Sequence, residues 1–561
     1  MFNLFKRVID TYGIKMRQAP YPDDRDVVIT CLKYGFYFLF SCQLLAIIYI
    51  NLFQNGLHLG YDAAPYFYLA RETWYQPSLT RVGQFSITNL NLDTAMPFAS
   101  ILYGLTGNIL ISYGIVNIII SLLIAFLFVW ILKDITNNNL VIAVSLCFLF
   151  SPYVPLWFNN ANPLDDFYSL LYASAAFWGF RILTGLSCIK LFLILSSEKK
   201  INKLSIMLYV ATLLMVLLCS ISSGIYILIV FIAPIVLFVV VKYIVGTTKL
   251  LVFLKDRSVL MLCLLVIMTF LGHFVRGMLF DVEVRDNPLI LGADRFFENL
   301  RLLYLGFLNL LNGMQFHTYI QVISFYGVIV LLHFVVANSL LVGVFVSVKY
   351  SLRNRSTAPK ALYLFLSVIL TNVAVFIITC NNHHPGVFEV RYLIPLTTAI
   401  FVVFCLFLSL LYRLSLKACK TVLIIILLFL SVSNYSSFSR YTKTTIEDQV
   451  ALAKTLSVYD AGVVYTSDAI VSMNLRVFTG DVEFFTVHFM DDVFIGRHHA
   501  YDQFISHGEY QGETLLVMSE TEFYLLPRDL QDSYILMEFS GFRDWYIYWG
   551  SGNYFYLHTS N

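Results

Sequence analysis

Apolar runs of about 20 residues, repeated down the chain, restrict its fold more than any other feature of the sequence. A helix of that length crosses the hydrocarbon core of a bilayer and satisfies its own backbone hydrogen bonds there. About eleven such runs can be placed, at 34–53, 109–132, 140–158, 166–184, 204–220, 224–243, 258–275, 322–348, 361–379, 391–412 and 420–434. With 58% of 561 residues hydrophobic and 13% charged, a soluble domain could not bury them all, so lipid is the solvent for most of the chain. The expected class is mainly α, a polytopic membrane protein. A polar, basic segment precedes the first run, which reads as a signal anchor and not as a cleavable signal peptide. The nine cysteines are scattered singly, mostly in apolar runs, where Cys behaves as a small hydrophobe. A formal charge of +2 gives no indication of a nucleic-acid partner.

Lys and Arg near the span ends orient the chain. Lys6, Arg7, Lys15, Arg17, Arg25 and Lys33 precede the first span. Alternate connections then carry Lys133; Arg181, Lys190, Lys199, Lys200 and Lys203; Lys242, Lys249, Lys255 and Arg257; Lys349, Arg353, Arg355 and Lys360; and Arg413, Lys417 and Lys420. That side is expected to be the cytoplasm. Residues 1–33 then form a cytoplasmic segment and 34–434 a transmembrane domain with outer loops 54–108, 276–321 and 380–391. Residues 435–561 form an extracytoplasmic domain. In it "AGVVYTSD", "TLLVMSE" and "YILMEFS" read as short strands and "TTIEDQVALAKTLS" as a helix, which predicts a small α/β unit. "GFRDWYIYWGSGNYFYLH" predicts a closing hairpin or an aromatic surface. Arg276, Arg285, Arg295 and Arg301 stand on the outer side against the rule. They suggest an anionic ligand, or ion pairs with Asp281, Glu283, Asp294 and Glu298.

The outer connections also hold polar residues that composition does not explain. Asp62 follows the first span and precedes a short helix expected at 64–74, whose Tyr66, Phe67, Tyr68 and Trp74 could lie at the lipid interface. It could simply cap that helix, with Pro65 in the first turn. Asp165 and Asp166 open a span after the short turn "NNANPLDD"; they too could be a cap and a first-turn acid, or functional acids at membrane depth. "NNHHPGVFEVRYLIPL" places His383, His384, Glu389, Arg391 and Tyr392 together. The two histidines and the glutamate could bind a divalent metal, although their spacing fits no standard zinc pattern. Arg391 could anchor the span by snorkelling, or hold a lipid phosphate through its planar fork. Carboxylates and a cation on one face are what sugar transfer from a lipid phosphate needs: a general base for the acceptor hydroxyl and a positive group for the departing phosphate.

On these segments the chain resembles the GT-C integral-membrane glycosyltransferases, especially the branch with protein O-mannosyltransferases and the lipid A aminoarabinose transferase. "YDAAPYFYLARE" matches an aspartate-led segment after the first span through Asp62, Tyr66, Ala70 and Arg71. "ANPLDDFYSLLYASAAFW" matches an acid that opens span four, and "EVRYLIPL" matches an R-Y-x-x-P element through Arg391, Tyr392 and Pro395. Ala63 stands where members often carry a second acid, and "SISSGIYIL" lacks the lysine expected there, so the resemblance is to a divergent member that modifies surface glycans such as O-antigen or lipopolysaccharide. It implies inverting transfer from a polyprenyl-phosphate sugar to a glycan or lipid-linked acceptor, in a bacterial inner membrane with the C-terminal domain periplasmic. Asp62 would be the base, Asp165 or Asp166 would assist or bind metal, and Arg391 would hold the donor phosphate. Arg71, Tyr392, His383, His384 and Glu389 would contact substrate. Two other readings stay open. An O-antigen polymerase or ligase would rely on one large outer loop rich in Arg and His. A transporter or flippase of lipid-linked glycans would place charges near the midplane and break helices in related halves.

Overall fold

The computed structural model describes residues 26–59, 63–75, 91–153, 167–197, 202–245, 256–279, 289–290, 296–313, 323–353, 359–380, 390–443, 446–479, 482–490, 493–497, 512–526 and 528–551. Among them, eight helices are long and apolar enough to cross a membrane. The first, α1 (Val27–Tyr49), continues through a π turn (Ile50–Gln54) and a 3-10 turn (Asn55–Leu57). Two short helices follow, α2 (Ala64–Tyr75) and α3 (Met96–Thr106). Next come α4 (Ile109–Leu132), α5 (Asn139–Leu149), the brief α6 (Phe167–Tyr172) and α7 (Gly179–Leu195). The bundle continues with α8 (Lys203–Ser223), a π turn (Leu228–Ile232) leading into α9 (Ala233–Val245), α10 (Arg257–Leu279) and α11 (Phe296–Leu310). It closes with α12 (Phe325–Arg353), α13 (Lys360–Ile378), α14 (Ile394–Leu414) and α15 (Leu416–Lys443). The α14 span is buried along its whole length, so it is the axis around which the others pack. The chain is a polytopic membrane protein.

Two expected spans differ from the helices observed. The run 140–158 is helical only to Leu149. The run 166–184 is not one helix: α6 stops at Tyr172, a turn with Ser174 and Ala176 at φ 52 and 43 intervenes, and α7 runs to Leu195. Two buried asparagines stabilise that break. Asn51 Nδ2 donates to the Tyr172 carbonyl at 2.7 Å, and Asn117 Nδ2 to the Ser174 carbonyl at 2.8 Å. Asn117 also donates to Asn51 Oδ1 at 3.0 Å. Carbonyls released from a helix at membrane depth need such partners, and here α1 and α4 supply them.

That contact requires α1 and α4 to lie close. A Cβ on Gly114 would stand 2.0 Å from the carbonyl oxygen of Asn51, a backbone atom that cannot swing away. Gly114→Ala is therefore expected to destabilise the bundle by about 1–3 kcal/mol or more, seen as a lower melting midpoint in detergent; an unchanged midpoint would show that the helices can separate freely.

Polar contacts sort the helix ends into two groups. At one end, Lys190 Nζ meets Asp134 at 2.7 Å, Lys360 Nζ meets the Ser196 carbonyl at 2.9 Å, and Lys420 pairs with Asp26 at the start of α1. Lys420 holds the Asp26 carboxyl below its ordinary value. At the other end lie the 54–108 connection and the C-terminal domain. Arg181, expected with the cytoplasmic lysines, belongs to this second end because α7 begins at Gly179 and does not finish nearby.

The C-terminal domain is an α/β unit with α16 (Glu447–Leu456) and α17 (Ala469–Phe478). A two-residue ladder, β1 (Leu289–Ile290) with β2 (Thr379–Cys380), joins two connections of the bundle. The domain's sheet comprises β3 (Val463–Thr466), β4 (Glu483–Met490), β5 (Val493–Arg497), β6 (Glu513–Ser519), β7 (Tyr534–Phe539) and β8 (Trp545–Ser551). Their order is β5-β4-β3-β6-β8-β7, parallel across β4, β3 and β6 and antiparallel toward both edges. β7 is the expected strand "YILMEFS", and its antiparallel partner β8 falls in the first part of "GFRDWYIYWGSGNYFYLH", the rest of which, from 552, lies outside the described residues. Alternate residues feed two cores: Val464, Leu515, Val517 and Ile547 pack with α16 and α17, while Val463, Tyr465, Leu516, Met518 and Tyr548 line the other face.

Candidate active site

Asp62, Asp165, Asp166, His383, His384 and Glu389 lie outside the described residues; the chain next to each acid does not. Leu59, Ala63 and Ala64 flank Asp62 and are fully buried, as are Phe167 and Tyr168 after Asp166. The two flanks meet. Ser174 Oγ donates to the His58 carbonyl at 3.3 Å, and the asparagine pair ties the end of α1 to the end of α6. The His58 ring lies 3.9 Å from that of Tyr441 at the end of α15, and Tyr441 stands edge-on to Tyr168 at 5.8 Å. Phe67 and Tyr68, expected at the lipid interface, are inside the protein, whereas Trp74 is exposed. Apolar burial on this helix serves packing against the rest of the protein.

Arg391 and Tyr392 sit on a 3-10 turn (Val390–Leu393) that opens α14. Tyr392 meets Trp178 edge-on at 5.9 Å, and Trp178 carries the Arg181 guanidinium over its face at 5.1 Å. Tyr226 lies 5.7 Å from the same cation and meets Trp178 edge-on at 5.4 Å, so the two rings are neighbours. Arg181 Nε donates to Asp93 Oδ2 at 2.6 Å. Ser222 Oγ donates to the other carboxylate oxygen at 2.7 Å, and Ser223 Oγ to Oδ2. Asp93 is wholly buried and Arg181 11% exposed, so their charges are compensated by each other and by the two serines. Gly224 follows with φ 64, and a Cβ there would stand 2.8 Å from Arg276 Nη1, so Arg276 also approaches this cluster.

The structure therefore joins Arg391 and Tyr392 to an ion pair that the sequence did not single out. Arg71 is held elsewhere: its Nη2 donates to the Arg476 carbonyl of the C-terminal domain at 3.4 Å. An apolar groove of about 150 Å³ is lined by Leu300, Leu303 and Phe307 of α11, Leu341 and Val344 of α12, and Leu396 and Ile400 of α14. Among the described residues, no three His, Cys, Asp or Glu side chains gather into a metal-holding group. The buried His333 is satisfied internally: it lies 2.8 Å from the Leu311 carbonyl through Nδ1 and 3.0 Å from Ser433 Oγ through Nε2. The Nδ1–H tautomer suits both bonds.

These features define a polytopic helical bundle with an α/β appendage, and known structures share that fold. The crystal structure of the lipid A aminoarabinose transferase ArnT from Cupriavidus metallidurans in the apo state superposes with a TM-score of 0.52 at 13% identity, covering 92% of this chain and 98% of that one. The same protein bound to undecaprenyl phosphate gives 0.49 at 13% identity over 92% and 98%. The Archaeoglobus fulgidus oligosaccharyltransferase AglB, in complex with an inhibitory peptide and a dolichol-phosphate, gives 0.44 at 12% identity over 93% and 74%. A scan against protein-family models finds no match. A search of curated proteins by sequence finds none either. The likeness to ArnT in the apo state is one of fold, over nearly the whole of both chains.

Proposed function

We propose that this protein transfers a sugar from a polyprenyl-phosphate donor to a glycan or lipid-linked acceptor at the outer face of a bacterial inner membrane. The observation that carries this reading is the fold shared with ArnT over almost the full length of both chains, together with the convergence of the described flanks of Asp62 and Asp166. Asp62 takes the proton of the acceptor hydroxyl, whose oxygen attacks the anomeric carbon. The bond from that carbon to the phosphate oxygen breaks, and polyprenyl phosphate leaves with the negative charge. Arg391 stabilises that charge through its fork. Attack opposite the leaving group inverts the anomeric centre. Asp165 or Asp166 orients the acceptor, or would hold a divalent ion that offsets phosphate charge.

Arg391 has the stronger case as the phosphate ligand, because the described contact of Arg71 is with the C-terminal domain. The apolar groove between α11, α12, α13 and α14 suits a prenyl chain entering from the lipid. Tyr392, His383, His384 and Glu389 remain the proposed contacts to the sugar and acceptor. The test is donor turnover by the protein reconstituted in liposomes with a labelled polyprenyl-phosphate sugar and a glycan acceptor. Label is expected in the acceptor with release of polyprenyl phosphate. Intact donor moved between leaflets, with none cleaved, would make the protein a transporter instead.

A further inference from the structure

Helix α17 has two apolar faces. Val471 and Leu475 enter the core of the C-terminal sheet, while Met473 and Val477 enter the core of the membrane bundle. Between them Arg476, only 4% exposed, reaches α2. Its Nη2 donates to the Glu72 carboxylate at 2.9 Å, and its guanidinium lies 4.5 Å from the centre of the buried Tyr68 ring. Arg71 returns a bond to the Arg476 carbonyl. A second tether lies upstream, where the Ile446 N–H at the entry of the C-terminal domain donates to the Leu57 carbonyl at 3.2 Å. Phe478 lies under the same turn, 3.3 Å from where a Cβ on Gly56 would be. The domain thus holds the chain on both sides of Asp62: at Gly56 and Leu57 before it, and along α2, which begins at Ala64 just after it.

We infer that Arg476 is a positioning residue for the transfer reaction. Through Glu72 and Tyr68 it fixes α2, which begins two residues after Asp62, while the Leu57 tether fixes the chain before it. This rests on the proposed role of Asp62 as base. A hinged segment would let the base wander, and a displacement of about 1 Å costs on the order of 10²-fold in rate. An arginine suits the task because its planar group can pair with a carboxylate and stack on a ring together. A lysine keeps only the charge.

The experiment compares the full-length protein with Arg476→Met, Arg476→Lys and Glu72→Gln in two ways. The first is backbone hydrogen exchange of α2 and of strand β3. The second is kcat and donor KM with a polyprenyl-phosphate sugar. Arg476→Met is expected to speed exchange in α2 about tenfold or more while β3 keeps its protection, and to lower kcat by about 10²-fold with donor KM nearly unchanged. Arg476→Lys should recover part of both, and Glu72→Gln should fall between. Should Arg476→Met unfold the domain, seen as lost β3 protection, Glu72→Gln decides. Faster α2 exchange with an unaltered kcat overturns the positioning role, and unaltered exchange overturns the grip itself. A wild-type protein that turns over no donor overturns the functional reading on which the role rests, and the exchange data then report on the grip alone.

Discussion

Asp62→Asn is expected to lower sugar transfer by roughly 10²- to 10⁴-fold, the range a positioned general base contributes. The amide keeps the size and a hydrogen-bonding oxygen of the carboxylate but cannot take the acceptor's proton. Donor binding depends on the phosphate and the prenyl chain, which the base does not touch. KM for the donor should therefore change little while kcat collapses. The variant should still express and insert, since the buried Leu59, Ala63 and Ala64 that flank it in the chain are unaltered. Rates measured at matched protein levels in donor-supplied membranes check this. Wild-type transfer by Asp62→Asn would remove Asp62 from the mechanism and leave Asp165 or Asp166 as base. If Asp62 only caps α2, the loss would instead be a stability effect of about 1 kcal/mol, visible in melting and not in kcat.

The second large effect is structural. Asp93→Ala is expected to cost about 3–5 kcal/mol, because it leaves Arg181 buried without its carboxylate and removes the acceptor of both Ser222 and Ser223. Trp178 and Tyr226 still flank the guanidinium, but ring faces do not replace a full opposite charge. Arg181→Met in the same background should restore part of the loss, since neither charge is then stranded. Denaturation of the four proteins in one detergent gives the coupling. A cost below about 1 kcal/mol for Asp93→Ala would mean that water reaches the pair and screens it. The pair also supports the site, for Trp178 links Arg181 to Tyr392. Transfer should therefore fall in Asp93→Ala even at temperatures where the protein stays folded.

The parts of this fold legible in the sequence are those set by local pattern. Apolar runs of bilayer length mark the spans, and short apolar or β-branched runs between turn residues mark β3, β6 and β7 of the C-terminal sheet, whereas β4 and β5 are not among the strands so marked. Helices α3 and α11 were not read, because at 11 and 15 residues they fall short of a span and lie within connections taken as loops. The break between α6 and α7 was hidden for another reason. No proline or glycine signals it within 167–178; it is stabilised by Asn51 and Asn117 from other helices. That single miss carried Arg181 to the wrong end of the bundle. Asp93 shows the limit at the site: its partners lie 88, 129 and 130 residues away, a distance at which spacing holds no information. A buried lone acid between two apolar runs, in "NLDTAMPFAS", was the signal available. The candidate acids at 62 and 165–166 are legible as acids at the ends of apolar runs, and they lie outside the described residues.

The most direct measurement is the anomeric configuration of the product, read by NMR after the reconstituted protein acts on a polyprenyl-phosphate sugar of known configuration. One displacement with Asp62 as base and phosphate as leaving group predicts a linkage opposite to that of the donor. A product that keeps the donor's configuration would contradict the account.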